Sequence, residues 1–237
     1  MAGETLKTIA VCLRIAPWSR TSHVVSWLTP DGKIVTVVKG AVRPKSAFLG
    51  QYDLNYTCEI LYYARAKGEM HALRECSPIS LREEMRRDYR KLALGDYFRT
   101  VCEELAPIGE DCKDWYDTLE SALNRLSEIE KNASFTDLLK ELVDFEMKSL
   151  ALSGLDPQIE AESGSFQLKG ERSIPVDAAV ATALKRIREE KSPQIILDAA
   201  RVVGVFYQFH MDCASELRRN AIRLISNSNQ GETQNEH

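Results

Sequence analysis

Two periodicities divide this chain. From residue 5 to residue 78 the apolar residues fall in short runs rich in β-branched side chains, the pattern of half-buried strands. Residues 8–13 read TIAVCL and residues 24–28 read VVSWL. Thr29-Pro30-Asp31-Gly32 follows as a turn, because proline presets φ and glycine accepts a positive φ. Residues 33–39, KIVTVVK, then read as the second arm of a hairpin. A Tyr-rich strand is predicted over 52–63, a turn at Lys67-Gly68, and a fifth strand over 70–76. Five short strands in under eighty residues predict a small antiparallel barrel.

Pro78 is expected to end the β region, and from Ser80 the period becomes helical. Leu81, Met85, Tyr89 and Leu92 recur at that spacing, followed by Tyr97, Phe98, Val101 and Leu105. Ser80 with Glu83 has the spacing of a capping box. A second helix fits Trp115, Leu119, Ala122, Leu123 and Leu126. A third fits Phe135, Leu138, Leu139, Leu142 and Phe145, with Ser134 as its N-cap. Gly154, Pro157, Gly164, Gly170 and Pro175 make residues 153–175 a connector. Helices resume over 176–191, 193–212 and 213–226, and the polar stretch 227–237 reads as a disordered tail. The expected domains are therefore a barrel over 1–78 and a helical domain over 79–226, an α+β class.

Composition narrows the class. At 237 residues, 44% apolar and 28% charged, the chain can bury a sizeable core. Those values exclude collagen-like, disulfide-scaffold and wholly disordered classes. No apolar run approaches the ~20 residues that cross a bilayer. The opening residues lack the continuous apolar segment of a signal peptide, so a cytoplasmic protein without membrane contact is expected. Six cysteines, none in CxxC spacing, are expected to be free thiols.

Charge changes the picture more than its sum does. The net charge is −4, yet residues 7–45 hold Lys7, Arg14, Arg20, Lys33, Lys39, Arg43 and Lys45 against the single acid Asp31. Any one cation at a strand end is ordinarily a solvated edge. Seven against one within one small barrel is harder to dismiss and points to a polyanion surface. Val38-Lys39-Gly40-Ala41-Val42-Arg43-Pro44-Lys45-Ser46 concentrates three of them around a glycine and a proline. The stretch lacks the spacing of a Walker phosphate loop. Aromatic residues Trp18, Trp27, Tyr52, Tyr56, Tyr62 and Tyr63 share the region, and exposed rings would stack bases. Trp27 lies in an apolar strand and is expected in the core; Trp18, in a turn with Arg20, is expected to be exposed.

Residues 103–162 are the converse, with sixteen acids against five bases. This block offers either a docking face for a basic partner or plain solubility. Asp111, Asp114 and Asp117 share a helical face there, but an exposed acidic helix start accounts for them. His210 and Cys213 are spaced to share a face, yet no orienting third group or oxyanion motif accompanies them. No enzyme is expected.

The strand ending Leu13-Arg14-Ile15, the Ser22-His23-Val24-Val25 strand, the Thr29–Lys33 turn and above all the Lys39-Gly40…Arg43-Pro44-Lys45-Ser46 run resemble the RecO family of bacterial recombination mediators. His71-Ala72-Leu73-Arg74-Glu75 is similar to the family's fifth-strand segment, and Phe206-Tyr207 to its late aromatic pair. The resemblance implies an N-terminal five-stranded OB-type β-barrel followed by a C-terminal α-helical domain. It implies binding and annealing of single- and double-stranded DNA in repair and homologous recombination. It further implies action with RecR to load RecA onto strands coated by single-stranded-DNA-binding protein, without a cofactor. Arg14, Lys33, Lys39, Arg43 and Lys45 would be the barrel's DNA-contacting cations. Lys185, Arg186, Arg188, Arg218 and Arg219 would form a second basic surface, for DNA or for the acidic tail of single-stranded-DNA-binding protein. Many members carry a four-cysteine zinc module between the middle helices; here 152–175 has no cysteine, so no metal is expected, and a short hairpin over 163–168 would take its place. The alternative is a non-enzymatic scaffold whose barrel binds protein and not DNA.

Overall fold

The protein is described by a computed structural model covering residues 4–65, 70–108, 111–155, 158–160, 165–168, 172–210 and 212–226. Strands β1 (Thr5–Ser19), β2 (Ser22–Thr29), β3 (Gly32–Val38), β4 (Thr57–Tyr63) and β5 (His71–Ser80) close into a barrel in the order β1-β2-β3-β5-β4. This is the expected OB-type arrangement of strands. Side chains alternate across each strand, so residues two apart fill the interior. Ala10 and Cys12, Val25 and Trp27, and Cys58, Ile60 and Tyr62 make that core with Leu73 and Cys76. Trp27 is fully buried, and its indole N–H reaches Thr36 Oγ1 at 2.9 Å, satisfying the ring's one donor.

Three details depart from the expected barrel. The closing pair, β3 with β5, runs parallel, whereas an all-antiparallel barrel was anticipated. Residues 52–56 are not strand: Tyr52, Leu54 and Tyr56 pack on the core from a turn-rich segment that leads into β4. Pro78 does not end β5, which continues to Ser80. A register shift opposite Thr57 and Cys58 leaves Ile79 unpaired beside the proline, the kind of place where a missing N–H is tolerated.

The helices are α1 (Glu83–Arg86), α2 (Tyr89–Leu105), α3 (Lys113–Glu128), α4 (Phe135–Leu152), α5 (Ala178–Lys185), α6 (Pro193–His210) and α7 (Asp212–Ser226). Between α4 and α5 lie β6 (Gln158–Glu160), β7 (Ser165–Leu168) and β8 (Arg172–Pro175), an antiparallel sheet in the order β6-β7-β8. Of the hairpin anticipated over 163–168, residues 165–168 form the central strand β7, and 163–164 lie outside the described residues. The tail at 227–237 lies outside the described residues. No described helix is long and apolar enough to cross a membrane.

By compactness the chain forms two units, Met1–Glu83 with Arg99–Asn124, and Glu84–Phe98 with Arg125–His237. In the first unit the later part of α2 and most of α3 are bound to the barrel through polar groups. Arg82 is buried and donates to Asn55 O at 2.5 Å, Thr57 Oγ1 at 2.8 Å and Asn124 Oδ1 at 3.1 Å, and it pairs with Glu120 at 2.6 Å. In the second unit α4 packs against α6, and α6 against α5 and α7. Phe98 and Phe145 stack there with centroids 4.1 Å apart.

Helix α4 begins on a capping box at the expected N-cap Ser134, whereas Ser80, expected to cap the first helix, is the last residue of β5, and α1 starts at Glu83. Ser134 Oγ accepts from the Asp137 N–H at 3.2 Å, and Asp137 Oδ2 accepts from the Ser134 N–H at 3.3 Å. The Ser134 hydrogen bond, against the opposing effect of burial, holds the Asp137 carboxyl below its ordinary range. Ser134 is exposed, so Ser134→Ala removes little but the cap and is expected to cost about 1 kcal/mol in urea unfolding. Because the folded carboxyl titrates lower than the unfolded one, this contribution is complete above the ordinary carboxylate pKa. It is lost as pH falls through the folded value.

Candidate nucleic-acid interface

Strand β1 carries two bulges, and both matter for what it presents. Its pairing with β2 shifts between Cys12 and Arg14, and again between Pro17 and Ser19. Leu13 and Trp18 are the extra residues. A bulge interrupts the strand's alternation and re-aims the neighbouring side chains. Leu13 is buried, and its carbonyl accepts from Arg99 of α2. Arg14, directly after the first bulge, is exposed, and Trp18, within the second, is 59% exposed.

The β1–β2 turn lies against the start of the β3–β4 loop. The Gly40 N–H donates to Ser22 Oγ at 3.2 Å, and the Val42 N–H to Thr21 O at 3.3 Å. The loop then tightens through Arg43 N–H to Gly40 O at 3.1 Å and Ser46 N–H to Arg43 O at 2.9 Å. Gly40 holds φ +70°, which favours glycine, and a Cβ there would sit 3.2 Å from Arg43 Cδ. The backbone therefore gathers Arg20, Lys39, Arg43 and Lys45 at one end of the barrel, and all four are exposed. Arg14 stands apart, four residues before Trp18 and about 13 Å along an extended strand.

Among the described residues none of Arg14, Arg20, Lys39, Arg43 and Lys45 forms an ion pair. The other two cations of the basic stretch differ. Lys7 pairs with Glu59 at 2.8 Å. Lys33 is buried, and its Nζ donates to the Glu103 carbonyl of α2. Lys33 thus fastens α2 to the barrel and does not present its charge to solvent, a correction to its expected place among the DNA-contacting cations. Arg20, by contrast, is exposed beside the loop cations. The sequence signal for it, a cation two residues past an exposed tryptophan, was available.

The expected second basic surface is also divided. Lys185, Arg186, Arg188 and Arg219 are exposed. The first three line an open cleft of about 1270 Å³ in the helical unit, beside Glu141 and Asp144. Those two carboxylates are held by Arg125 at 2.7 and 3.0 Å, and Arg188 approaches Glu141 at 3.6 Å. Arg218 is buried in a bidentate pair with Glu146 and belongs to no surface. The acidic block is therefore in part an internal set of partners: Glu120, Glu141, Asp144 and Glu146 each meet an arginine. Asp111 accepts from the Lys113 N–H at 3.0 Å, and Asp117 pairs with the Lys113 side chain.

The remaining candidates are quickly placed. Cys12, Cys58, Cys76, Cys102 and Cys112 are buried free thiols, and burial pushes the Cys12 and Cys102 thiols up. Phe206 and Tyr207 are buried, with the Tyr207 hydroxyl against Ser149 Oγ. The side chains of His210 and Cys213 lie outside the described residues.

A closed five-stranded OB-type barrel, followed in one chain by a helical region, defines the class of protein. The family model described as recombination protein O, C terminal, matches residues 86–213. A DNA repair protein RecO of Nostoc sp. is 23% identical over 160 residues, covering 67% of this chain and 53% of that protein. A DNA repair protein RecO of Rhodopirellula baltica is 28% identical over 153 residues, covering 63% of this chain and 53% of that protein. The chain belongs to the recombination protein O, or RecO, family. It spans about half the length of the curated relatives it matches.

Proposed function

We propose that this chain is a non-enzymatic mediator of DNA repair and homologous recombination. Its barrel binds single- and double-stranded DNA and brings complementary strands together. With RecR it helps load RecA onto strands coated by single-stranded-DNA-binding protein, in the bacterial cytoplasm and at the nucleoid. The barrel, whose last strand ends at Ser80, is the DNA-binding part of the chain, and the helices follow it.

One observation carries this reading. In a chain of net charge −4, five exposed cations of one small barrel have no ion-pair partner among the described residues, and four gather at one end. Lys7, the first cation of the basic stretch, differs in pairing with Glu59. Cations left open on a protein that repels polyanions overall are the footprint of a local phosphate surface. The RecO family membership and the two relatives' names support a role in DNA repair and recombination.

Such binding is driven by counterion release, so its affinity must fall with salt. Four phosphate contacts to a single strand predict a slope of log K against log salt near −3, that is, roughly −0.7 for each contact. Titration of a fluorescent oligonucleotide with the full chain at several salt concentrations measures it. A flat response between low and physiological salt would exclude the mechanism.

A further inference from the structure

Trp18 is the anomaly on this barrel. The chain has three tryptophans, and the other two behave as core residues, Trp27 fully buried and Trp115 5% exposed. Trp18 is 59% exposed. A large indole left in water forgoes the burial that normally stabilises such a ring. Its exposure is not loose chain. Trp18 is held inside β1, between Pro17 paired with His23 and Ser19 paired with Ser22, as the bulged residue. A bulge re-aims a side chain from a fixed backbone position.

Cations flank the backbone next to the ring. Arg20 is two residues on, across the end of the strand. The hydrogen bonds from Val42 to Thr21 and from Gly40 to Ser22 lay residues 39–43 over the turn that follows Trp18. An aromatic face beside Arg and Lys that have no ion-pair partner among the described residues matches a nucleotide whose base is free to stack and whose phosphates are anionic. A duplex offers the same phosphates but keeps its base faces inside the stack, where reaching one requires breaking stacking and pairing.

Resting on the DNA-binding reading above, we propose that Trp18 is the base-stacking residue of this barrel and its means of telling an unpaired strand from a duplex. The cations bind phosphate in either case. Trp18 adds affinity only where a base is free. The barrel end then favours single-stranded DNA through one side chain, while the loop cations set the common, salt-sensitive part.

The experiment compares the full wild-type chain with Trp18→Ala and Trp18→Phe. Each is titrated with a fluorescein-labelled homothymidine strand long enough to cover one OB barrel, and with a hairpin duplex. Trp18→Ala is expected to weaken single-strand binding about tenfold, a stacking contribution for one base, and to leave duplex binding unchanged. Trp18→Phe should keep part of the single-strand affinity. With unlabelled strand, the wild type's tryptophan emission should be quenched on binding, and the quenching should vanish in Trp18→Phe, since Trp27 and Trp115 are buried. The emission of those two residues also reports that the variants are folded. If Trp18→Ala weakens both substrates equally or neither, or if quenching persists in Trp18→Phe, the assignment is wrong while DNA binding stands, and the exposed indole is a contact for something else. If the wild type binds neither substrate at low salt, the DNA-binding reading falls first and this assignment with it.

Discussion

Charge reversal at Lys39, Arg43 and Lys45 together is expected to weaken single-strand binding on the order of a hundredfold at moderate salt and to flatten its salt slope by about two. The reasoning is electrostatic and local. All three side chains are exposed, and none forms an ion pair among the described residues, so replacing them with glutamate breaks no bridge. The loop's shape comes from backbone hydrogen bonds at Gly40, Val42, Arg43 and Ser46, which the substitutions leave in place. The thermal midpoint should therefore stay close to that of the wild type. Each glutamate removes one phosphate partner and installs a charge that repels the next phosphate. Because phosphate contacts carry no base information, the same variant should lose duplex binding in parallel, in contrast to Trp18→Ala. If the triple variant bound DNA with unchanged affinity and slope, this barrel end would not be the phosphate surface. The barrel would then be better read as a protein-binding scaffold, whose partner the variant should still hold.

The second large effect lies in the helical unit. Glu146 of α4 is fully buried, and Arg218 of α7 grips it with Nε to Oε1 at 2.7 Å and Nη2 to Oε2 at 3.0 Å. The Tyr97 hydroxyl donates to Glu146 Oε1 at 2.7 Å, and Arg218 Nη2 also donates to Ala200 O at 2.7 Å. Helix α6 makes room with a glycine: a Cβ on Gly204 would lie 2.4 Å from Arg218 Nη1. Burial alone would disfavour the Arg218 cation, yet the facing Glu146 charge outweighs it and holds the guanidinium pKa above its ordinary value. Burial, then Glu146, pushes the Tyr97 hydroxyl well up, so it stays a donor. Glu146→Ala strands a guanidinium inside the unit and is expected to cost about 3–5 kcal/mol, read from urea unfolding. That is a large share of a typical domain's ~5–15 kcal/mol. Replacing Glu146 and Arg218 both with methionine should recover most of the loss, because neither charge is then buried alone. A cost under about 1 kcal/mol for Glu146→Ala, the value of an exposed pair, would contradict the burial of this bridge.

How far each feature could be read in advance depends on the range of the interaction behind it. The hairpin of β2 and β3, its turn at Thr29–Gly32 and the N-cap at Ser134 depend on neighbours a few residues away, and local pattern revealed them. So did the placement of Trp27 inside and Trp18 outside, since one sits in an apolar run and the other beside a proline, a serine and an arginine, although Trp18 is a bulged strand residue and not in the turn expected for it. The bulges in β1 were not legible, because a bulge exists only relative to the strand it pairs with. The run of β5 through Pro78 was hidden for the same reason. Arg20 was within reach of sequence reasoning but was passed over for cations inside the motif.

The amino-acid order by itself thus determined a basic β region ahead of acidic helices, the strands that make the barrel, and the motif that carries the family likeness. It did so because periodicity, turn chemistry and local charge are short-range properties. Only the tertiary structure decided which cations remain free. Lys33 meets a carbonyl 70 residues away, and Arg218 meets a carboxylate 72 residues away. Charge along a chain is a count of groups, whereas charge at a surface is what remains after distant groups have found one another.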